Sequence, residues 1–305
     1  MNISKILDEL QPLVKAGILK SHESLKDHVF TKMGGHADIL AIPTTYEEIQ
    51  NIVTYAYQHE VPLTVLGNGS NVIIRDGGVR GIVLQTSEIT EMGVREDQLL
   101  YAQCGAKIID VSRFALEKEL TGLEFACGIP GTVGGALYMN AGAYGGEVSH
   151  VLHSAIVLKK NGEILTLQGD MLQWGYRKSV FSSGEYIVLE ALFAMKPGAF
   201  AEIKSRMDDL TEQRESKQPL EYPSCGSVFK RPPGRFAGQL IQESGLQGTR
   251  IGGAEVSRKH AGFIINADHA TATDYIGLIH HVRDTVKNKF GVELETEVEI
   301  IGEES

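Results

Sequence analysis

Eight of the 25 residues from Gly122 to Gly146 are glycine, and that density constrains the fold more than any other feature of the chain. Glycine loses more conformational freedom on folding than any other residue. A run this rich persists only where the backbone needs positive φ or must approach something closely. Over the whole chain glycine is 34 of 305 residues, against roughly 7% in ordinary proteins, so the excess is real and concentrated here.

The heart of the run is Gly128-Ile129-Pro130-Gly131-Thr132-Val133-Gly134-Gly135-Ala136. Pro130 fixes one backbone angle, while the glycines let the chain press against a flat or phosphorylated ligand. The run continues through Asn140 and Gly142 in a stretch that offers little to pack a core. About 60 residues upstream, Gly67-Asn68-Gly69-Ser70-Asn71 separates two apolar strands expected at 62–66 and 72–74. Backbone N–H groups in such a turn can converge on an anion. Two loops of this kind point to one extended ligand with several phosphates, such as a dinucleotide. Neither is a Rossmann fingerprint, since no third glycine and no helix follow 67–71, and GxxxxGK[ST] is absent from the chain.

Acids outnumber bases 39 to 29, for a formal net charge of −10, which argues against a nucleic-acid partner. The apolar stretches are too short for membrane insertion, and Asp8 and Glu9 break any signal-peptide pattern. Cys104, Cys127 and Cys225 lie far apart, without metal-ligand spacing, and suit a reducing cytoplasm. Nothing calls for an obligatory protein partner.

At 305 residues the chain exceeds what one core usually serves. The pattern predicts an α+β protein with an N-terminal helical segment at 1–29, a block at 30–197 and a smaller block at 198–305. Ile3, Ile6, Leu7, Leu10 and Val14 recur at helical spacing. Thr44 or Thr45, with Glu47 and Glu48 three residues on, reads as a capping box for a second helix. Further helices are expected at 107–120, 200–216 and 273–290, the last closed by Gly291. Strands at 151–158 and 163–167 flank Asn161-Gly162, a dipeptide suited to a primed hairpin turn. A strand at 292–301 would set Glu293, Glu295, Glu297 and Glu299 on one face.

Two other segments carry chemistry. Arg177, in Tyr176-Arg177-Lys178-Ser179, could clamp a carboxylate or a developing oxyanion. Ser224-Cys225-Gly226-Ser227-Val228-Phe229-Lys230-Arg231-Pro232-Pro233-Gly234 combines small, basic and turn residues suited to an anionic ligand. Ser227 has no G-x-S-x-G elbow around it, but a serine held in a site can donate a proton.

With these residues the chain resembles the UDP-N-acetylenolpyruvoylglucosamine reductases of bacterial cell-wall synthesis. The likeness runs through Met33-Gly34-Gly35-His36-Ala37, the 67–71 loop, Gly122-Leu123-Glu124, Gly128-Ile129-Pro130-Gly131 and Asn140-Ala141-Gly142-Ala143-Tyr144-Gly145. It continues through Tyr176-Arg177-Lys178-Ser179, Gly226-Ser227-Val228-Phe229-Lys230, Ile251-Gly252-Gly253-Ala254 and Glu295-Thr296-Glu297-Val298. The resemblance implies an FAD-binding domain of the vanillyl-alcohol oxidase type at 30–197 and a smaller α+β substrate-binding domain at 198–305. Both glycine loops, 67–71 and 128–136, with Asn140 and Gly142, would then hold non-covalent FAD. NADPH would serve as co-substrate, and UDP-N-acetylglucosamine enolpyruvate would be reduced to UDP-N-acetylmuramate. The resemblance casts Ser227 as proton donor and Arg177 and Glu297 as stabilisers of the intermediate. It sets Lys217, Arg231 and His260 toward the substrate, where cations suit a diphosphate. The chain is short between Leu158 and Trp174, as in the insertion-free second type, so the uridine contact of longer relatives must come from elsewhere. With no second dinucleotide motif, NADPH and sugar nucleotide are expected to take turns in one site. The rival readings are an oxidase of the same fold and a non-catalytic nucleotide-binding module, which would be colourless.

Overall fold

The computed structural model describes residues 2–304. In chain order its helices are α1 (Ile3–Leu10), α2 (Tyr46–Gln58), α3 (Ile108–Glu117), α4 (Val133–Tyr138), α5 (Phe200–Lys217), α6 (Ala237–Glu243) and α7 (Ala272–Phe290). The chain divides into two compact units. The first takes the chain up to Ser21, then Ile39–Asn68 and Gly81–Arg214; the second takes His22–Asp38, Gly69–Arg80 and the described residues from Glu215 on.

This division departs from contiguous blocks broken at 197. Met33 and Ile73, early in sequence, are fully buried in the core built around α6 and α7. Ile203, Met207 and Leu210 of α5 instead pack with Cys127 in the first unit. Apolar periodicity marks a residue as buried without naming the core it joins. The N-terminal segment also departs from expectation, because α1 stops at Leu10 and a strand, Ile18–Ser24, follows.

A four-stranded sheet runs in the order Ile18–Ser24, His36–Ile42, Val79–Gln85, Leu63–Leu66, the last pair parallel. A five-stranded sheet runs Ile164–Gln168, Leu152–Lys159, Tyr186–Phe193, Leu100–Gln103, Met92–Val94, all antiparallel. His36–Ile42 and Val79–Gln85 are buried along almost their whole length. They lack the alternation that betrays a half-exposed strand. The turn at 159–162 is not the primed type: positive φ falls on Gly162 alone (+89°), and the Asn161 side chain accepts the Glu163 N–H at 3.1 Å. That is a type I turn closed by a bulge glycine.

Thr45 caps α2 by accepting the Glu48 N–H at 3.2 Å. Glu48 does not return the bond as a capping box would. Its carboxylate, 5% exposed, accepts from the N–H groups of Ala16 (2.7 Å), Gly17 (3.1 Å) and Thr44 (2.9 Å). Burial alone would raise its pKa, but these donors outweigh burial and hold it below the ordinary carboxylate value.

In the second unit Arg250–Ile251, Ala254–Val256 and Ile264–Asn266 form an antiparallel sheet, and Glu299–Ile301 pairs in parallel with Val72–Ile74. The expected strand at 292–301 is thus only three residues long. Before it, Leu294 and Val298 are buried at a spacing of four, which an alternation of period two allows. The four glutamates alternate with these residues, but they are not equally exposed. Glu293, Glu295 and Glu299 are exposed, whereas Glu297 is half-buried.

Candidate active site

The two glycine loops meet inside the first unit. The Asn68 amide donates to the Pro130 carbonyl at 3.1 Å, across 62 residues of sequence. A Cβ on Gly67 would stand 2.4 Å from the Thr132 hydroxyl oxygen, so this position admits only glycine. Thr132 caps α4 by accepting the Gly135 N–H at 3.3 Å. Ile108 donates to the Gly131 carbonyl at 3.0 Å, and Gly134 donates to the Cys104 carbonyl at 2.8 Å. The N–H groups of Asn68, Gly131 and Thr132 have no acceptor among the described residues. Such unsatisfied donors beside a junction of two loops are the form of an anion cradle, and a flavin dinucleotide fits it.

Not every residue of the run faces a ligand. Val133, Ala136 and Leu137 are buried and pack the first core, so this stretch contributes more to packing than its composition suggested. Ile129 is half-buried against the same core. Asn140 is 1% exposed and its side chain is fully engaged with protein. Its amide N–H groups donate to Glu147 Oε1 (3.0 Å) and the Gly175 carbonyl (3.1 Å), and its oxygen accepts the Ser149 N–H (3.0 Å).

That clamp fixes Arg177. Gly175 and Lys178 exchange backbone hydrogen bonds of 2.9 and 3.2 Å, closing a tight turn in which Arg177 holds φ at +54°. A non-glycine residue there costs of order 1–3 kcal/mol and persists only if its surroundings impose it. Asn140 grips the turn at Gly175. Ser179, buried, grips the other end by donating to the Tyr138 carbonyl at 2.9 Å. The Arg177 guanidinium donates to the Gly142 carbonyl at 3.2 Å and stacks near Tyr176 at 5.1 Å. Short α4 therefore carries the glycine loop at its start and the anchor of the Arg177 turn at its end.

In the second unit Ser227 is exposed and follows Gly226, whose φ is +77°. Val228 donates to the Gly262 carbonyl at 3.0 Å and accepts the Glu297 N–H at 2.8 Å. Ser227 thus adjoins the segment that carries the half-buried Glu297. Asn71 takes part in this unit too: its amide donates to the Glu297 carbonyl at 3.1 Å, and its own carbonyl accepts the Glu299 N–H at 3.0 Å. Gly69, at φ +61°, accepts the Phe30 N–H at 3.1 Å, and Ser70 links Gly69 to Asn71 in the chain. Asn71 therefore steadies Glu297, a task that its place in a glycine loop did not signal.

Lys217 ends α5 exposed. Arg231 lies over the Phe236 ring at 4.0 Å. His260 is not a ready cation: burial lowers its pKa, and its Nδ1 accepts the Gly262 N–H at 3.1 Å. It offers a neutral Nε2–H donor instead, a correction to its reading as a cation. Among the described residues no helix is long and apolar enough to cross a membrane.

The model of a family described as "FAD binding domain" matches residues 37–168, and that of "UDP-N-acetylenolpyruvoylglucosamine reductase, C-terminal domain" matches 218–301. Fold and site together define an FAD-dependent oxidoreductase. UDP-N-acetylenolpyruvoylglucosamine reductase 2 of Bacillus cereus is 60% identical over 304 residues, covering 100% of this chain and 99% of its own. The chain belongs to the UDP-N-acetylenolpyruvoylglucosamine reductase family. The Exiguobacterium sibiricum reductase is 63% identical over 284 residues, 93% of each chain. The crystal structure of the reductase (MurB) from Thermus caldophilus matches with TM-score 0.82 and 33% identity, over 94% of this chain and 100% of that one. The glucose dehydrogenase Phl p 4.0202, at 16% identity and TM-score 0.52, covers 64% of this chain and 44% of its own, and shares the fold alone.

Proposed function

We propose that this chain reduces UDP-N-acetylglucosamine enolpyruvate to UDP-N-acetylmuramate in the cytoplasm, with NADPH as reductant. The supporting observation is the pairing of the Ser227 and Glu297 segments through the 2.8 Å bond from the Glu297 N–H to the Val228 carbonyl. Held in the glycine loops, FAD supplies hydride transfer from NADPH to the terminal carbon of the enolpyruvyl group. Ser227 protonates the adjacent carbon. Arg177 and Glu297 stabilise the charge that gathers on the substrate carboxylate. Lys217, Arg231 and the neutral His260 face the sugar nucleotide, the last as a hydrogen-bond donor. Thr132, Gly134 and Gly135 shape the loop through backbone and cap, and Asn140 and Gly142 orient Arg177.

Non-covalent attachment suits the cysteines. Cys127 is buried under α5, and burial pushes the Cys104 thiol up to about 12, which disfavours its thiolate. With one site for both substrates the kinetics are ping-pong; intersecting double-reciprocal lines would contradict that.

The half-reactions test Ser227. Ser227→Ala should bleach on mixing with NADPH at nearly the wild-type rate. Its reoxidation by the enolpyruvyl sugar nucleotide should slow about 10²–10⁴-fold, the usual worth of a positioned proton donor. Similar modest losses in both phases would make Ser227 a packing residue.

A further inference from the structure

Arg214, near the end of α5, is half-buried, and its side chain runs directly beneath the second glycine loop. A Cβ on Gly128 would stand 2.6 Å from Arg214 Cδ and 3.4 Å from Nε and Nη1. Glycine at 128 is thus the condition for the arginine to pass, which is a reason for that residue independent of any ligand. Among the described residues no carboxylate, carbonyl or hydroxyl hydrogen-bonds or ion-pairs the guanidinium. The titratable groups that influence it are the Tyr144 phenol and the Cys127 thiol, and neither is a carboxylate. Burial lowers its pKa, yet a guanidinium stays protonated in proteins.

A cation partly withdrawn from water and given no partner is costly, and proteins keep one where something else completes it. The planar fork of five N–H donors matches a phosphate better than any other common anion. Gly128 opens the same loop whose Gly131 and Thr132 N–H groups lack acceptors. We propose that Arg214 binds a diphosphate, closing the anion cradle of this loop. The proposal rests on the flavin and sugar-nucleotide reading above, and the diphosphate belongs either to FAD or to the sugar nucleotide.

Flavin-stripped wild type, Arg214→Met and Arg214→Lys are each titrated with FAD, followed by fluorescence quenching. The reconstituted proteins are then titrated with UDP-N-acetylglucosamine enolpyruvate, followed by the flavin spectrum. Met keeps the chain under Gly128 and removes the charge; Lys keeps the charge without the fork. One of the two dissociation constants should rise about tenfold to a hundredfold in Arg214→Met, as for loss of a charge-assisted hydrogen bond, and less in Arg214→Lys. A rise for FAD alone assigns the flavin diphosphate, and a rise for the sugar nucleotide alone assigns the substrate's. If Arg214→Met does not fold, the Lys variant decides alone, with a rise of at least threefold expected. Affinities within twofold of wild type in the folded variants overturn the proposal while leaving the functional reading intact. A wild type that takes up no FAD overturns the functional reading itself.

Discussion

Asn140 is the residue whose replacement tests the site's construction most severely. Its side chain makes three hydrogen bonds in a buried setting, one of them to the Glu147 carboxylate. Two ordinary bonds at about 1 kcal/mol each and one to a charged group at about 1.5–3 kcal/mol sum to about 3–5 kcal/mol. Asn140 also holds φ at +42°, a conformation asparagine tolerates and alanine resists by about 1 kcal/mol. Asn140→Ala should therefore lose about 4–6 kcal/mol in urea unfolding of the flavin-free protein. Asn140→Gly escapes the φ strain but not the lost bonds, and should remain destabilised by about 3 kcal/mol or more. Function should divide as well. With Gly175 released, Arg177 loses its fixed turn, so flavin reoxidation by the sugar nucleotide should slow at least tenfold, with reduction by NADPH much less affected. Both variants unfolding within 1 kcal/mol of wild type would refute the clamp. Equal slowing of both half-reactions would refute its tie to Arg177.

Two further changes probe the scaffold. Gly67→Ala forces a methyl to 2.4 Å from the Thr132 hydroxyl, so the loops should part and the protein should purify with little flavin; a fully yellow variant contradicts the convergence. Glu48→Gln should destabilise at pH 7 by about 1–3 kcal/mol, since a neutral amide replaces a carboxylate bonded to three N–H groups. Because the folded pKa of Glu48 is lowered, that stability is present above the unfolded value near 4.5 and lost as pH falls through the folded pKa. The wild-type advantage should accordingly shrink in acid, and a gap constant from pH 7 to 3 would contradict it.

Much of this molecule was legible before its structure. Glycine density marked the loop that meets 67–71 at Pro130, because close backbone approach is a demand that composition records. The cap of α2 and the closing Gly291 of α7 followed from residues acting within a few positions. What stayed hidden was non-local. His36–Ile42 and Val79–Gln85 are buried on both faces and show no alternation. Glu48 reaches back 32 residues to Ala16, and Asn71 reaches forward 226 to Glu297, distances at which no periodic pattern reports. Glu293, Glu295, Glu297 and Glu299 are indistinguishable in sequence; only the fold half-buries one of them. Arg177 and Ser227 gained definite catalytic roles only through the family resemblance, since an arginine in a turn and a serine after glycine occur widely without function.

The most direct measurement of the central claim is an anaerobic titration of the purified wild-type protein, followed at the flavin absorbance. One equivalent of NADPH should bleach the band. One equivalent of UDP-N-acetylglucosamine enolpyruvate should then restore it, with UDP-N-acetylmuramate formed in the same amount. A colourless protein, or a bleached flavin that oxygen reoxidises and the sugar nucleotide does not, would contradict the assignment.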